Sequence, residues 1–207
     1  LSLEIQKTLK DSLGISKALN NIGIIFDKQN NDEQALKYYF NSLEIAEKID
    51  NKNQQALCIN NLALIYGKKD LDKAFEYYQK SLIINKEIGN KEDLALNLMN
   101  ISDIYRQKQN FYQALKNLNK ALEISNEISP DLLKVIYLTF SETYEDKKNP
   151  DSALKYFKKF SALKDSLINL KSLENVAELE TKYQSEKKEL ENKSLKKDNE
   201  VKEAKNE

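Results

Sequence analysis

The chain has 207 residues, with 33 basic and 33 acidic side chains that cancel and 40% apolar residues. Balanced charge argues against a nucleic-acid partner, which needs a basic surface, and against attraction to an anionic membrane surface. With no histidine, one cysteine and no glycine-rich phosphate loop, there is no His-based general base, Ser-His or Cys-His pair, histidine metal ligand or internal disulfide. We therefore expect a chain that is not an enzyme, with no catalytic residue, no metal and no cofactor. No run of about 18 apolar residues occurs, so a membrane is expected only through flanking sequence. The chain begins at Leu1 with no signal peptide, which suggests a piece of a longer polypeptide.

In chain order, Ser2-Leu3-Glu4-Ile5 returns forty residues later as Ser42-Leu43-Glu44-Ile45. Residues 1–12 are therefore predicted to be the second helix of a partial repeat, leaving Leu3 and Leu9 on an open face. Four helix pairs should follow, within an array over 1–170. Their first helices are predicted at 14–28, 53–67, 91–108 and 131–147, and their second helices at 32–50, 70–88, 111–128 and 151–167. Four glycines and two prolines fit this nearly all-helical reading. Pro130 and Pro150 fall in first turns, where a missing N–H is harmless. Gly89 suits a left-handed helix end. Asp70 and Asn110 can cap the helices beside them.

Two motifs recur in step. The first is Asn21-Ile22-Gly23-Ile24-Ile25-Phe26, then Asn61–Tyr66, Asn100–Tyr105 and Thr139–Tyr144, with the aromatics 40, 39 and 39 residues apart. The second is Gln34-Ala35-Leu36-Lys37-Tyr38-Tyr39 and its counterparts around Ala74, Ala114 and Ala153, spaced 39, 40 and 39. Aromatic precedes alanine by 9, 8, 9 and 9 residues, so the second unit has lost one residue in Gly67-Lys68-Lys69-Asp70, which marks a turn. Small residue, aromatic, alanine, aromatic and again a small residue (Ser42, Ser81, Ala121) resembles the tetratricopeptide repeat in a long variant. The resemblance implies an all-α, right-handed superhelical solenoid of helix hairpins with a long C-terminal helix. Phe160 departs from the pattern and suggests different packing of the last unit.

In solenoids of this kind the first helices line the concave face. Asn21, Asn61, Asn100 and Thr139 would then form a ladder along a groove, with Asn20 and Asn60 beside them. Asn offers a donor and an acceptor to the backbone of an extended peptide. In long-repeat relatives, asparagines at the places of Asn21, Asn61 and Asn100 grip peptide backbone. The competing reading is that these amides only satisfy neighbouring helices or water. Arg106 near the groove's edge can anchor a carboxylate or pair with Asp103, and the latter is favoured. Asn20, Leu96 and Asn100 stand where a chaperone-tail binder needs basic clamps, which disfavours a chaperone-adaptor role. Cys58, beside Ile59, reads as a small buried hydrophobe.

Val176, Leu179 and Tyr183 repeat the spacing of Tyr137, Phe140 and Tyr144, so 171–183 is expected to be a capping helix over the fourth unit. Residues 184–207 are mostly charged, with Leu190, Leu195, Val201 and Ala204 as apolar exceptions. They read as a solvated helix or fraying tail, or as a coiled-coil linker giving a homodimer through the C-terminal helix. Phe160–Leu167, Ala177–Tyr183 and the following Lys/Glu-rich stretch resemble the junction after such arrays in membrane-anchored sensors of Bacteroidetes-type bacteria, histidine kinases or helix-turn-helix regulators. That resemblance implies the sensory region of a two-component-type signalling protein on the periplasmic face, binding a protein or peptide. The alternatives are a cytoplasmic location and a freestanding scaffold for protein–protein interactions.

Overall fold

The computed structural model describes the backbone of residues 2–125 and 129–203 and the side chains of 12–125 and 129–189. Among these residues there are eight helices and no strand. They are α1 (Ser2–Lys28), α2 (Asp32–Lys48), α3 (Lys52–Gly67), α4 (Leu71–Glu87), α5 (Lys91–Gln107), α6 (Phe111–Ser125), α7 (Pro130–Asp146) and α8 (Pro150–Glu203). The chain divides into units 1–160 and 161–207. The first unit is an all-α solenoid. In it α1 packs on α2, α3 on α4 and α5 on α6, each second helix meets the next first helix, and α1 also touches α3 as α5 touches α7.

Short-range chemistry sets the turns. Asn30, Asp50, Gly89, Gln109 and Lys148 adopt left-handed backbone, with φ of 57, 49, 72, 58 and 59°. The next residue in each case donates its N–H to the carbonyl five positions back, as Asn31 does to Phe26 at 2.9 Å and Asn149 to Tyr144 at 2.8 Å. This closes the helix by satisfying orphan carbonyls. The same residue opens the next helix. Asn31, Asn51, Asn90, Asn110 and Asn149 each accept, on the side-chain oxygen, the N–H three residues on. The shortened turn of the second unit has no left-handed residue, and the Asp70 N–H instead bonds the Tyr66 carbonyl four back, at 2.7 Å. Asp70 still caps α4 through the Lys73 N–H at 3.0 Å.

The two motifs meet in the core. The motif alanines Ala35, Ala74 and Ala114 are fully buried, so two helices approach closely there. Ser102 and Ser141 donate to the carbonyls of Ala114 and Ala153, both at 2.9 Å. The aromatic that ends each first motif stacks on one from the second motif, Phe26 on Tyr38, Tyr66 on Tyr77 and Tyr144 on Tyr156, at centroid distances of 5.3, 5.3 and 5.6 Å. Where Asn117 replaces that aromatic, Tyr105 packs in a T-shaped pair with Phe75 of the preceding unit at 5.4 Å. Phe160 is half-buried and lies 5.8 Å from Phe157.

Two expected boundaries need correction. The expected partial repeat over 1–12 is not set apart as a helix of its own from Ser2 onward, because α1 continues from Ser2 through Gly14. The stretch has no proline, and one interior glycine costs about 1 kcal/mol, too little by itself to end a helix. Nor is 171–183 a separate capping helix. It lies within α8, and no Gly or Pro occurs from Asp151 to Glu207 to interrupt it. Leu173, Val176, Leu179 and Tyr183 are each more than half exposed. The expectations for Leu3 and Leu9, and for Leu190, Leu195, Val201 and Ala204, fall on side chains outside the described residues.

Candidate functional site

The first helices present two faces of opposite character. On α3, Cys58, Leu62 and Ile65 are buried in the core with Ala35, Tyr39 and Leu43 of α2. The other face carries Leu57, Asn60, Asn61 and Leu64, which helical spacing places together. Leu57 and Leu64 are 43% and 44% exposed. The matching positions on α5 are Leu96, Asn100 and Asp103, and on α7 Val135, Thr139 and Glu142, with Val135 exposed. This face of α3, α5 and α7 mixes apolar and polar groups of unequal exposure: Leu57, Leu64 and Glu142 are exposed, Asn61 and Thr139 are buried, and Leu96 is half-buried against the core around Leu98.

The six expected groove residues other than Arg106 are not equivalent. Asn21 is exposed. Asn20 is buried, and its Oδ1 accepts from Asn61 Nδ2 at 2.8 Å across the α1–α3 contact. Asn60 is half-buried, with an Oδ1 that is out of reach of solvent and has no hydrogen-bond partner among the described residues. Asn100 is half-buried on α5. Thr139 donates to the Val135 carbonyl of its own helix at 3.0 Å. The structure thus joins Asn20 to Asn61 and leaves Asn21, Asn60 and Asn100 outside that pair.

Arg106 pairs with Asp103, its Nε 3.0 Å from Oδ1, and reaches Asp146 of the next unit through Nη1 at 2.6 Å. Burial works against its charge, but the two carboxylates outweigh that and hold the guanidinium above its ordinary value. It therefore ties α5 to α7. Cys58 belongs to a buried hydroxyl cluster. Ser42 donates to the Ser16 carbonyl at 2.7 Å, Ser16 to the Ser42 carbonyl at 2.8 Å, and Cys58 Sγ lies 3.0 Å from Ser42 Oγ. Burial pushes the thiol up, which keeps it protonated within hydrogen-bond distance of Ser42. One unit later the same positions hold Ser81 and Asn97, whose Nδ2 donates to Ser81 Oγ at 2.9 Å. A unit further they are Ala121 and Ile136, both fully buried. Among the described residues no group of three or more His, Cys, Asp or Glu could hold a metal ion. No described helix is long and apolar enough to cross a membrane.

One feature escapes the motif reading. A cleft of about 980 Å³ opens at the N-terminus of α6, lined among others by Lys108, Phe111, Tyr112, Lys116, Lys120 and Lys147. Its signal lies in the register. First turns of the other second helices carry Asp32 and Glu33, Asp72 or Asp151, whereas α6 has no acidic residue there and shows Phe111 and Tyr112.

Stacked hairpins with close contacts at alanine and a partly apolar face on the first helices define a helical repeat protein of the kind that holds other chains. Residues 14–87 and 93–166 match the tetratricopeptide repeat, and the chain belongs to that family. No curated protein matches it in sequence. Similar solved structures include the apo form of RapI (21% identity, TM-score 0.70, covering 76% of this chain and 58% of that one). Another is a signal transduction ATPase with numerous domains and a tetratricopeptide repeat sensor, from Pyrococcus horikoshii (22%, 0.68, 80% and 27%). A third is a Rap protein complexed with competence and sporulation factor (18%, 0.64, 72% and 42%). The chain therefore spans 58%, 27% and 42% of these three structures, and at such identities the likeness is one of fold.

Proposed function

We propose that this chain is a protein- or peptide-binding repeat domain whose groove is the outward face of α1, α3, α5 and α7. The observation that carries the reading is the exposure of Leu57 and Leu64 on either side of Asn60 and Asn61. Two leucines on the polar side of a helix that already has a full apolar side offer surface to a partner. Asn21 and Asn100 are the amides that meet the peptide backbone, and Asn60, whose Oδ1 is buried, contributes only its Nδ2. Asn20 and Asn61 brace each other, and Thr139 and Arg106 border the groove.

The finer proposal is that the domain is the sensory region of a bacterial signalling protein of two-component type, on the periplasmic face of the membrane. Residues 184–207 would act as a coiled-coil linker that pairs two copies and carries the signal onward. Its support is the resemblance of the 160–183 junction to such sensors, together with a neighbour described as carrying a tetratricopeptide repeat sensor. A neighbour of the same fold, a Rap protein complexed with competence and sporulation factor, supports a ligand-binding role without saying which face is used. The rival is a freestanding scaffold, in the cytoplasm, for which the balanced charge and the lack of histidine serve equally well.

The test is affinity selection of peptides against the chain, followed by calorimetric titration of variants. Leu64→Ser and Asn100→Ala should each weaken binding about tenfold, the equivalent of about 1.4 kcal/mol. Unchanged affinity in both overturns the groove. For the sensor reading, peptide should alter the output activity of the full-length parent, and Asn100→Ala should shift that response to about tenfold higher peptide concentration.

A further inference from the structure

We propose a second binding site, for an acidic extended peptide segment of a partner protein, in the cleft at the N-terminus of α6. The argument starts from a charge pattern at the joints between units. Lys68, Lys108 and Lys147 each stand six residues before a motif alanine (Ala74, Ala114, Ala153). At the first joint Lys68 Nζ lies 2.8 Å from Asp32 in the first turn of α2, and Lys69 adds a second contact at 2.8 Å. At the second joint Lys108 pairs with Asp72 in the first turn of α4. At the third joint the first turn of α6 holds Phe111 and Tyr112 instead of a carboxylate. Lys147 has no ion-pair partner among the described residues, nor do Lys116 and Lys120.

These residues share one cleft of about 980 Å³ with Lys108, and Glu123 is the only carboxylate in its lining. Lys116 and Lys120 lie one turn apart on α6, a like-charged spacing that costs helix stability. The positive end of the α6 dipole faces the same space with no acidic side chain to meet it. Tyr112 is 74% exposed in a first-turn place where the other second helices keep an acid. An occupant that complements all of this supplies carboxylates to Lys116, Lys120 and Lys147, and an apolar side chain to Tyr112 and Phe111. An acidic peptide with one aromatic residue does so. A long nucleic acid does not, because the chain as a whole is neutral and exerts no long-range pull on a polyanion.

The probe is a fluorescein-labelled glutamate-rich peptide with one central phenylalanine, titrated into the full chain and read by anisotropy and amide chemical-shift changes. At low salt the shifts should centre on Tyr112, Lys116, Lys120 and Lys147, and the affinity should fall about tenfold between about 50 and 300 mM salt. Tyr112→Asp restores the carboxylate that the other joints have. It should cut affinity at least tenfold while leaving the melting temperature the same or higher. Lys147→Glu should also lose binding, whereas Lys37→Glu on α2 should change it less than twofold. The groove variants Leu64→Ser and Asn100→Ala should leave it intact, so this site and the groove fail separately. The proposal is overturned by absence of binding up to about 1 mM, by equal affinity in Tyr112→Asp, by shifts centred on Leu57 and Asn100, or by tighter binding of an oligothymidylate of equal charge.

Discussion

Replacing Gly23 with alanine adds one methyl group to α1, and the place for that methyl is already occupied. An ideal Cβ there lies 2.6 Å from Tyr39 Cε1, 2.7 Å from Cδ1 and 3.1 Å from Cζ. An unstrained carbon contact needs about 3.5–4.0 Å, so α1 and the ring must separate by about 1 Å. Tyr39 is only 2% exposed and sits among Ala35, Leu43, Cys58, Ile59 and Leu62, which leaves the ring little room to swing. Overpacking of this kind costs about 1–3 kcal/mol. Removing a glycine from a helix interior returns about 1 kcal/mol. The second unit places Ala63 and Tyr78 at the same registers, so the hairpin has a way to relax, and a net loss of about 1 kcal/mol is expected. Gly14 is the internal control. It lies in the same helix with nothing within 4 Å of its Cβ position, so Gly14→Ala should gain about 1 kcal/mol. Urea unfolding followed by circular dichroism should place the two variants on opposite sides of the parent. In a Tyr39→Leu background, which removes the opposing ring, the cost of Gly23→Ala should vanish or change sign. Equal stabilisation by the two alanines would refute the close-approach argument.

Gly89 has open space around it but a φ of +72°, so Gly89→Ala should lose about 1 kcal/mol from backbone strain alone, while Lys148→Gly should gain up to about 1 kcal/mol; thermal melts distinguish these from packing effects. Cys58 is fully buried and its thiol is pushed up by that burial, so the native chain should react with a thiol-specific disulfide reagent far more slowly than the chain in urea. Equal rates would place Cys58 at the surface. Lys68 and Lys69 hold the Asp32 carboxyl below its ordinary 3.8, so this contact is complete above about that pH and is lost as the pH falls through the lowered value. Asp27 and Asp32 hold Lys68 above its ordinary 10.5, so its share persists up to that pH and fades as the pH rises through the raised value. Asp32→Asn should lower the plateau between these limits and flatten its acid edge, as read by denaturation midpoints against pH.

The helix pairs are legible in the sequence because their determinants are local. An Asn cap, a left-handed residue before it and an alanine at fixed spacing act within one or two turns, so their order along the chain suffices to place them. The lost residue of the second unit is legible for the same reason, since it changes one turn and leaves both flanking helices in register. The stacked aromatics follow in three units, and fail only where Asn117 removes the partner of Tyr105. Helix continuity is less legible. Neither the partial repeat at 1–12 nor the cap at 171–183 is set off by a proline, and periodicity alone cannot tell a continued helix from a turn followed by another.

The recurring motif places Asn21, Asn61, Asn100 and Thr139 at matching positions of the first helices, and the resemblance to long tetratricopeptide repeats makes them, with Asn20 and Asn60 beside them, the expected groove. The tertiary structure decided how those groups are used. Asn20 and Asn61 stand 41 residues apart in the chain, and only the spacing of α1 and α3 brings their amides to 2.8 Å. Arg106 could be assigned to Asp103 from a three-residue spacing, but its second partner, Asp146, depends on the packing of α5 against α7. The lysine cleft at α6 has the same origin. The missing carboxylate is visible in the register, yet the gathering of Lys116, Lys120, Lys147 and Tyr112 in one cleft depends on the stacking of one unit on the next. Sequence spacing specifies direction around a single helix, whereas partnership across a joint depends on distances that two helices set together.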